Sequence, residues 1–593
     1  MPEVHAPMSY REAANRFVEE ETQFQLGFLV TESSHSRTRT LDSTIRRSTA
    51  AGVRQLLSVD EDVGRACPLQ LASEEFSRLT AAIHASAASG RMIVFSGCGS
   101  TGRLAVLLES MWRRFWREAS RAAAVPRATE LQRQARGIIT GGDRALIRSV
   151  ESFEDYQEFG REQVRELDLV PGDLLVAISE GGETSSVIGS AHEALDRGCS
   201  VFFVFNNPRS LLSARIDRSR RLIEDRRVVC VDLTTGPMAI AGSTRMQATS
   251  AELIFVAAAM ENAAASLLPA RAREDLRIGP RSPEQWSDGV HALVGALSTE
   301  RAIGTLARIV EAEEATYAGG KVLAYAAGRY LLDVFADCTE RTPTFSIPPL
   351  KRMGDPDGTA NPWAFAYHPG LRNREAWAAM LGREPVGLTW TDDTYRRLGV
   401  ERLVGRRPAL DETEIYSYPV GEDAVELYRD SLDRVIRVEA GGFGHSITGR
   451  LSGMAAPGGA ATAANGRRTH SLIIGDARTA EPVAASNRTD AAIWHVDVPL
   501  PHTATDLYHH LAIKLVLNTI STATMARMGR IRGNWMVQVA PTNKKLVDRS
   551  IRIIADLTGR DYRSAAELFF EASENGSGGS ATSLVKDVLD SVS

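Results

Sequence analysis

Met92-Ile93-Val94-Phe95-Ser96-Gly97-Cys98-Gly99-Ser100-Thr101-Gly102-Arg103 passes from an apolar run into a turn holding three glycines, and an apolar-periodic segment follows from Leu104. That pattern marks a buried strand delivering the chain into a helix. Glycines let the backbone turn tightly and approach a ligand, and the unpaired N–H groups at a helix start favour an anion. Ser100 and Thr101 add two hydroxyls. A hydroxyl at this place also caps a helix with no ligand present, so the turn by itself leaves both readings open. Its glycine spacing matches the dinucleotide fingerprint too, which expects an acidic residue about 20 positions on, at the end of the next strand. Here the next strand starts near Gly137, too late for that partner, and the nucleotide reading is set aside.

The device recurs. The apolar run 174–178 ends in Ser179-Glu180-Gly181-Gly182-Glu183-Thr184-Ser185-Ser186, and a helical segment follows. Two such turns at successive strand ends point to a phosphate site, because capping needs only one hydroxyl and open parallel sheets bind ligands at that edge. A third segment, Gly236-Pro237 through Gly242-Ser243-Thr244-Arg245-Met246, offers two more hydroxyls and a guanidinium. Arg245 suits bidentate phosphate pairing; its other reading is a surface ion pair.

Working outward, further short apolar runs lie at 137–140, 201–205 and 228–233, with helical segments between them. This alternation indicates an α/β, doubly wound parallel sheet covered on both faces. A second alternation follows: 306–312 as helix, 315–318 as a short strand, 322–336 as a long apolar helix, then apolar runs at 386–390, 435–438, 471–474 and 492–498. A second α/β lobe is the natural reading. Residues 9–90 and those from Leu511 onward read as helical; 455–468 reads as a mobile loop and 574–583 as a flexible linker. The helix from Ala251 echoes the one from Ala512, as a duplicated unit would produce and as two unrelated apolar helices would also produce.

The 593 residues are 43% hydrophobic, enough for several cores, and carry a formal net charge of -5, which argues against a general nucleic-acid binder. Arginine clusters such as Arg113, Arg114 and Arg117 are offset by nearby acids such as Glu118 and read as solvated faces. Five scattered cysteines without a CxxC suggest neither a disulfide framework nor a zinc ribbon. The N-terminus lacks a signal-peptide core, and no uncharged apolar run is long enough to span a membrane. A cytoplasmic protein without a membrane partner is expected. The histidines lack metal-ligand spacing, and hydroxyls with amides hold a phosphate without a cation, so neither metal nor cofactor is expected.

At SGCGSTGRLAV, GIITGGDRALIRSVESFED, FNNP and TGPMAIAGSTRMQATSAE the chain resembles the family of sugar isomerase (SIS)-domain proteins that holds the bacterial N-acetylmuramic acid 6-phosphate etherases and the animal glucokinase regulatory protein. The likeness covers 26–262 and resumes over 509–575, through Lys514-Leu515-Val516-Leu517-Asn518 and Thr542-Asn543-Lys544-Lys545-Leu546. In length and two-lobe layout the chain is closer to the regulatory protein. The resemblance implies two tandem SIS-type domains: an N-terminal segment 1–48, a first SIS domain 49–265 with the phosphosugar loops, a second, degenerate one 266–525, and a C-terminal helical region 526–593. It implies that Ser100, Thr101, Ser179, Thr184 and Ser243 hold the phosphate, with Gly99, Gly102, Arg103, Gly182, Thr244 and Arg245 completing the binding set. Glu154 would meet the sugar, and Lys514 would reach the ligand from the closing helix. Without that context Glu154 reads as a solvated residue. The second loop lacks one hydroxyl usual in such loops, at Gly181, and places Glu180 close by.

Etherase chemistry takes a proton from beside a carbonyl and expels lactate, which requires a positioned acid and base. In the etherases a glutamate lies in the helix after the first loop; here that place holds Met111, and Glu109 is turned about 200° away on the helix. Asp337-Cys338-Thr339-Glu340-Arg341-Thr342-Pro343 repeats the glutamate-bearing element in the second lobe, with Glu340 at the matching place. Its preceding turn, read as Tyr317-Ala318-Gly319-Gly320-Lys321, has no hydroxyl, so Glu340 is expected to be structural. The sequence thus favours a non-catalytic sugar-phosphate-binding regulator of a sugar kinase, its ligand fructose 6-phosphate, fructose 1-phosphate or an amino-sugar 6-phosphate. The alternative is an N-acetylmuramic acid 6-phosphate etherase of cell-wall recycling, with Glu154, Asp155 or Glu340 as the acid. An aldose–ketose isomerase comes third: it needs a positioned base and usually a ring-opening histidine, and His368, His445, His502, His509 and His510 lie outside the first lobe, with only His509 or His510 able to approach from the closing helix. Two lobes in one chain make a monomer the expected state.

Overall fold

The computed structural model describes residues 9–150, 152–441, 467–476, 492–539, 541, 543–575 and 583–592. Two five-stranded sheets form its centre, parallel throughout. The first holds β1 (Ile93–Gly97), β2 (Ala135–Ile139), β3 (Leu174–Ile178), β4 (Ser200–Phe205) and β5 (Val228–Asp232) in the order β2-β1-β3-β4-β5. The second holds β6 (Val322–Ala326), β7 (Ala364–Tyr367), β8 (Leu432–Ala440), β9 (Arg468–Ile474) and β10 (Ala492–Val496) in the order β7-β6-β8-β9-β10. One doubly wound topology is therefore used twice, which gives the echo between the helices Gln247–Leu267 and Leu507–Arg527 a structural basis. Strand order reverses between β1 and β3, and that switch point opens a crevice at the strands' C-terminal ends. The turns after β1 and β3 flank it.

Residues β1 and β3 contribute are buried throughout, as strands covered on both faces must be. The two long apolar helices are buried along almost their whole length and pack on one another. Charged clasps tie the halves together. Arg383 donates to Glu109 Oε1 at 2.8 Å and Oε2 at 3.0 Å, and to both Asp143 oxygens. The chain's ends meet as well: Phe17 of the helix Tyr10–Glu20 lies 6.0 Å from Phe570, and Arg563 pairs with Glu19. Glu32, near the start, receives Arg549 and Arg552 of the helix Lys544–Thr558. Against the burial that would raise it, these two guanidinium groups hold the Glu32 carboxyl far below its usual range.

Several expectations in the second half are corrected. Residues 315–318 are not a strand; they end the helix Glu300–Ala318, which stops where Gly320 takes φ +65°. Residues 322–336 are not one helix but β6, the turn Ala327-Gly328-Arg329-Tyr330, and the helix Leu331–Phe345. The turn preceding Glu340 is this one, and it too lacks serine and threonine. Residues 386–390 form no strand; Leu388 and Trp390 are apolar because they pack on Phe153 and Phe159 of the first lobe. The short strand β7 was not foreseen. Positions 455–466 of the loop and 576–582 of the linker, with His445, lie outside the described residues.

Candidate functional site

The first loop is shaped by its glycines. At Gly97 a Cβ would stand 2.3 Å from the Thr101 backbone, and Gly99 takes φ +57°. Gly102 serves packing: its Cβ would meet Ile139 Cγ1 at 2.4 Å. Thr101 Oγ1 donates to the Cys98 carbonyl at 2.9 Å and accepts from its N–H at 3.0 Å, so this hydroxyl closes the loop and is not offered to a ligand. Ser100, first residue of the helix Ser100–Ala122, faces the crevice.

The second loop divides its hydroxyls the same way. Ser179, fully buried, donates to Thr184 Oγ1 at 3.0 Å, while Thr184 lines the crevice ahead of the helix Ser185–Asp196. Gly182, at φ +70°, makes the turn between them. Ser243 and Thr244 come from the third segment, after Gly242 at φ +73°, where a Cβ would stand 2.6 Å from Arg549 Nε. Ser100, Thr184, Ser243 and Thr244 thus converge on one cavity of about 230 Å³.

Arg245 does not reach for that space as a phosphate fork. Its Nη atoms donate to Asp337 Oδ1 at 3.1 Å, Ser521 Oγ at 3.0 Å and Thr522 Oγ1 at 3.2 Å, clasping the second lobe. It is neither a surface pair nor a free anion receptor, although it borders the cavity. Arg103 behaves alike, giving Nε to Thr339 Oγ1 at 3.2 Å and Nη2 to the Leu146 carbonyl at 3.1 Å. Lys514 donates to the carbonyls of Arg245, at 2.6 Å, and Met246, at 3.3 Å; burial lowers its pKa to about 8. It does not border the main cavity but lines a smaller space beside it, with Asp337 and Asn518.

Two carboxyls from different lobes line the cavity: Glu154, in the turn Phe153–Asp155, and Glu340, in the helix Leu331–Phe345. Glu154 is not a solvated residue. Asn543 Nδ2 donates to it at 2.6 Å, and burial raises its pKa. Asp155 does not border the cavity. Glu340 approaches Arg245 Nη1 to 3.9 Å. It stands fourteen residues after the end of β6, as Met111 stands fourteen after the end of β1, so the two places are equivalent in the repeated fold. Met111 itself is in the apolar core. Glu109 is structural, held by Arg383, Arg113 and the Gly137 N–H.

Beyond Lys514, sequence reasoning assigned no ligand contact to the C-terminal part of the chain. Asn543, Lys545 and Arg549 all border the cavity, from the start of the helix Lys544–Thr558. The Asn-Lys-Lys string was visible, but nothing in it told where that helix would dock. Lys545 Nζ pairs with Glu183 Oε1 at 2.7 Å; against burial, Lys545 and Arg218 hold the Glu183 carboxyl down at about 2. Glu180 also lines the cavity. Burial first, and Glu340 nearby, push its pKa up to about 7, and Thr249 donates to it at 3.2 Å. Behind it Glu252, also raised by burial and by Glu180, receives Asn206 Nδ2 at 2.8 Å. Burial lifts the Cys98 thiol to about 12, so it is no nucleophile. His510 is paired with Asp333 and His509 stacks on Tyr330, both away from the cavity. Among the described residues no cluster of His, Cys, Asp and Glu suits a metal ion, and no helix is long and apolar enough to cross a membrane. Hydroxyls, helix-start amides and the Lys545 ammonium are groups able to receive an anion, and the two carboxyls beside them are groups able to move protons.

A family model described as the glucokinase regulatory protein N-terminal SIS domain matches residues 75–195. N-acetylmuramic acid 6-phosphate etherases from Salmonella agona and Salmonella typhi are each 30% identical over 227 residues, which is 38% of this chain and 67% of theirs. Among solved structures, the C-terminal domain of glucosamine-fructose-6-phosphate aminotransferase from Francisella tularensis is similar with a TM-score of 0.41 and 12% identity, covering 80% of this chain and 96% of that one. Tagatose-6-phosphate ketose/aldose isomerase from Escherichia coli gives a TM-score of 0.38 and 10% identity, covering 80% and 95%.

Proposed function

Because the chain belongs to the SIS-domain family of the N-acetylmuramic acid 6-phosphate etherases and glucokinase regulatory protein, we propose that it is a lyase. It binds an amino-sugar 6-phosphate in the cavity between its lobes and releases the ether substituent at position 3. The observation that carries this reading is the presence of Glu154 and Glu340 in the same cavity as Ser100, Thr184 and Ser243. Met111 argued against an etherase only while its lobe was considered alone. The position of Glu340 in the shared cavity supports a carboxyl supplied from the other lobe.

The phosphate is anchored by the amides that open the helices Ser100–Ala122 and Ser185–Asp196, by the hydroxyls, and by Lys545. In the open-chain sugar the C2 proton lies beside the C1 aldehyde and is acidic. Glu154, made more basic by burial, takes it; the C3–O bond breaks with its electrons going to oxygen, and Glu340 returns a proton to the departing lactate. Water then adds to the unsaturated sugar. The test is incubation with N-acetylmuramic acid 6-phosphate and assay of lactate: release supports the lyase, and none from a protein that binds the sugar refutes it.

The match to the regulatory protein's domain and the hydroxyl-free turn after β6 favour a second reading, a regulator of a sugar kinase. Thermal stabilisation by fructose 6-phosphate or fructose 1-phosphate without lactate release would select it. Either way one chain supplies both lobes of the site, and a monomer is expected by light scattering.

A further inference from the structure

Apart from the main cavity, a groove of about 730 Å³ is lined by the segment 22–28 and by two short helices, Arg209–Arg215 and Asp217–Ile223; the main cavity measures about 230 Å³. Three arginines converge on it. Arg218 and Arg221 stand one turn apart on the same face of the second helix, and Arg215 ends the first. Among the described residues the one acid lining the groove, Asp217, is already paired with Arg220 at 2.7 Å. Burial, and Arg161 after it, lower the pKa of His192, so this ring adds no charge at neutral pH. The side chains of Arg215 and Arg221 make no ion pair or hydrogen bond among the described residues; Arg215 rests over the Phe28 ring, 5.7 Å from its centre. Two guanidinium groups without counter-ions thus face one concavity, and such a concavity draws an anion.

The third arginine joins the groove to the second loop. Arg218 donates Nε to the Glu183 carbonyl at 2.5 Å and Nη2 to Glu183 Oε2 at 2.7 Å. Glu183 Oε1 receives Lys545 Nζ at 2.7 Å, and Lys545 borders the main cavity together with Thr184. We propose that the groove is a second ligand site, for a diphosphate group, and that filling it weakens phosphate binding in the main cavity. Two linked phosphoryl groups suit it because each unpaired guanidinium can take one as a fork and the groove has room for more than one. The diphosphate is free pyrophosphate or part of a nucleoside diphosphate. Once bound, it engages Arg218 and draws it off Glu183. Glu183 then has Lys545 as its remaining cation and holds it back from the sugar phosphate, while the loop that carries Thr184 loses the bond to its Glu183 carbonyl. The effect is reciprocal, as linkage requires. This coupling rests on the reading that Lys545 and Thr184 hold the phosphate; the groove itself does not.

The test is calorimetry on the full chain in magnesium-free buffer, with inorganic pyrophosphate, ADP and N-acetylglucosamine 6-phosphate as probes. Pyrophosphate is expected to bind, and the double variant Arg215→Ala, Arg221→Ala to bind it at least ~10-fold more weakly, the worth of a charge-assisted contact. Ser100→Ala, which alters only the main cavity, should keep pyrophosphate affinity within about threefold. The double variant should bind N-acetylglucosamine 6-phosphate within about threefold of the parent, which also shows that it folds. ADP binding at least as tightly as pyrophosphate assigns the groove to a nucleoside diphosphate; weaker binding assigns it to free pyrophosphate. Saturating pyrophosphate should lower affinity for the sugar phosphate by about fivefold or more, and Arg218→Gln should remove that drop. No pyrophosphate binding, equal binding by the double variant, or loss of it in Ser100→Ala overturns the second site. Sugar-phosphate affinity that ignores bound pyrophosphate overturns the coupling. If no sugar phosphate binds while pyrophosphate does, the lyase reading and the coupling fall and the groove stands.

Discussion

Replacing Glu340 by Gln keeps the side chain's size and removes only its proton chemistry. Glu340 is 8% exposed and its nearest cation, Arg245, keeps its bonds to Asp337, Ser521 and Thr522, so the junction should hold. A positioned general acid contributes about 10²–10⁴-fold, equivalent to ~2.7–5.4 kcal/mol of barrier. Glu340→Gln is therefore expected to lower kcat for lactate release by about that factor. KM should move little, because Ser100, Thr184, Ser243 and Lys545, to which the proposed function gives the phosphate, are left untouched. The reciprocal change, Met111→Glu, puts a carboxyl at a site only 2% exposed in the apolar core; burying it unpaired costs several kcal/mol and should gain no activity. Lactate is read with a coupled dehydrogenase, under saturating and limiting substrate. A Glu340→Gln enzyme with kcat within about threefold of the parent would refute the claim that the second lobe supplies the acid.

Three further outcomes follow from the geometry. Glu180, with its pKa near 7, is neutral in acid and an anion above neutrality, so affinity for a phosphate dianion falls as pH rises through 7; titrations at pH 6.5 and 8.5 should show Glu180→Gln losing ~10-fold less affinity than the parent, one pKa unit of coupling, whereas parallel profiles would exclude Glu180. Arg383→Met leaves Glu109 and Asp143, 1% and 4% exposed, without their shared cation; urea unfolding should show a loss of about 3–5 kcal/mol, and a loss under ~1 kcal/mol would mean the clasp does not matter to the junction. Ser100→Ala should weaken sugar-phosphate binding severalfold, by ~1 kcal/mol, without lowering Tm, whereas Thr101→Val should lower Tm because its hydroxyl holds Cys98; the opposite pattern in a thermal-shift titration would reverse the roles given to the two hydroxyls.

What the sequence made legible was local. Turns after β1 and β3 announce themselves because glycine is required wherever φ is positive or a Cβ would strike backbone, as at Gly99 and Gly97. The run 322–336 was misread because a buried strand and a buried helix are both continuously apolar, and only Gly328 marks the break. Residues 386–390 look like a strand because packing on Phe153 demands the same side chains that a sheet does. Among the site residues, type gave the hydroxyls but not their direction: Ser100 and Thr184 face the cavity, while Thr101 and Ser179 are spent inside their loops. Glu340, Lys545 and Arg549 could not be placed, since their arrival depends on how a distant lobe and a C-terminal helix dock.

On the lyase reading, the repeated topology accounts for how so lopsided a chain could bring all the parts of a site together. If two copies of one lobe faced each other, each cavity would draw its loops from one copy and its helix glutamate from the other. A single chain needs only one of those two cavities. Here the first lobe has the hydroxyl-bearing loops and Met111 where the glutamate would stand, while the second has Glu340 and no hydroxyl in the turn after β6. Each missing group belongs to the half of the pair that this cavity would not use. Around Met111 the place is filled by packing: its neighbour Ser110 donates to the Met380 carbonyl across the junction at 3.1 Å, and Arg383 locks Glu109 and Asp143 beside it. That face of the first helix is where the second lobe is fixed, and on the lyase reading this junction is what sets Glu340 in the same cavity as Glu154.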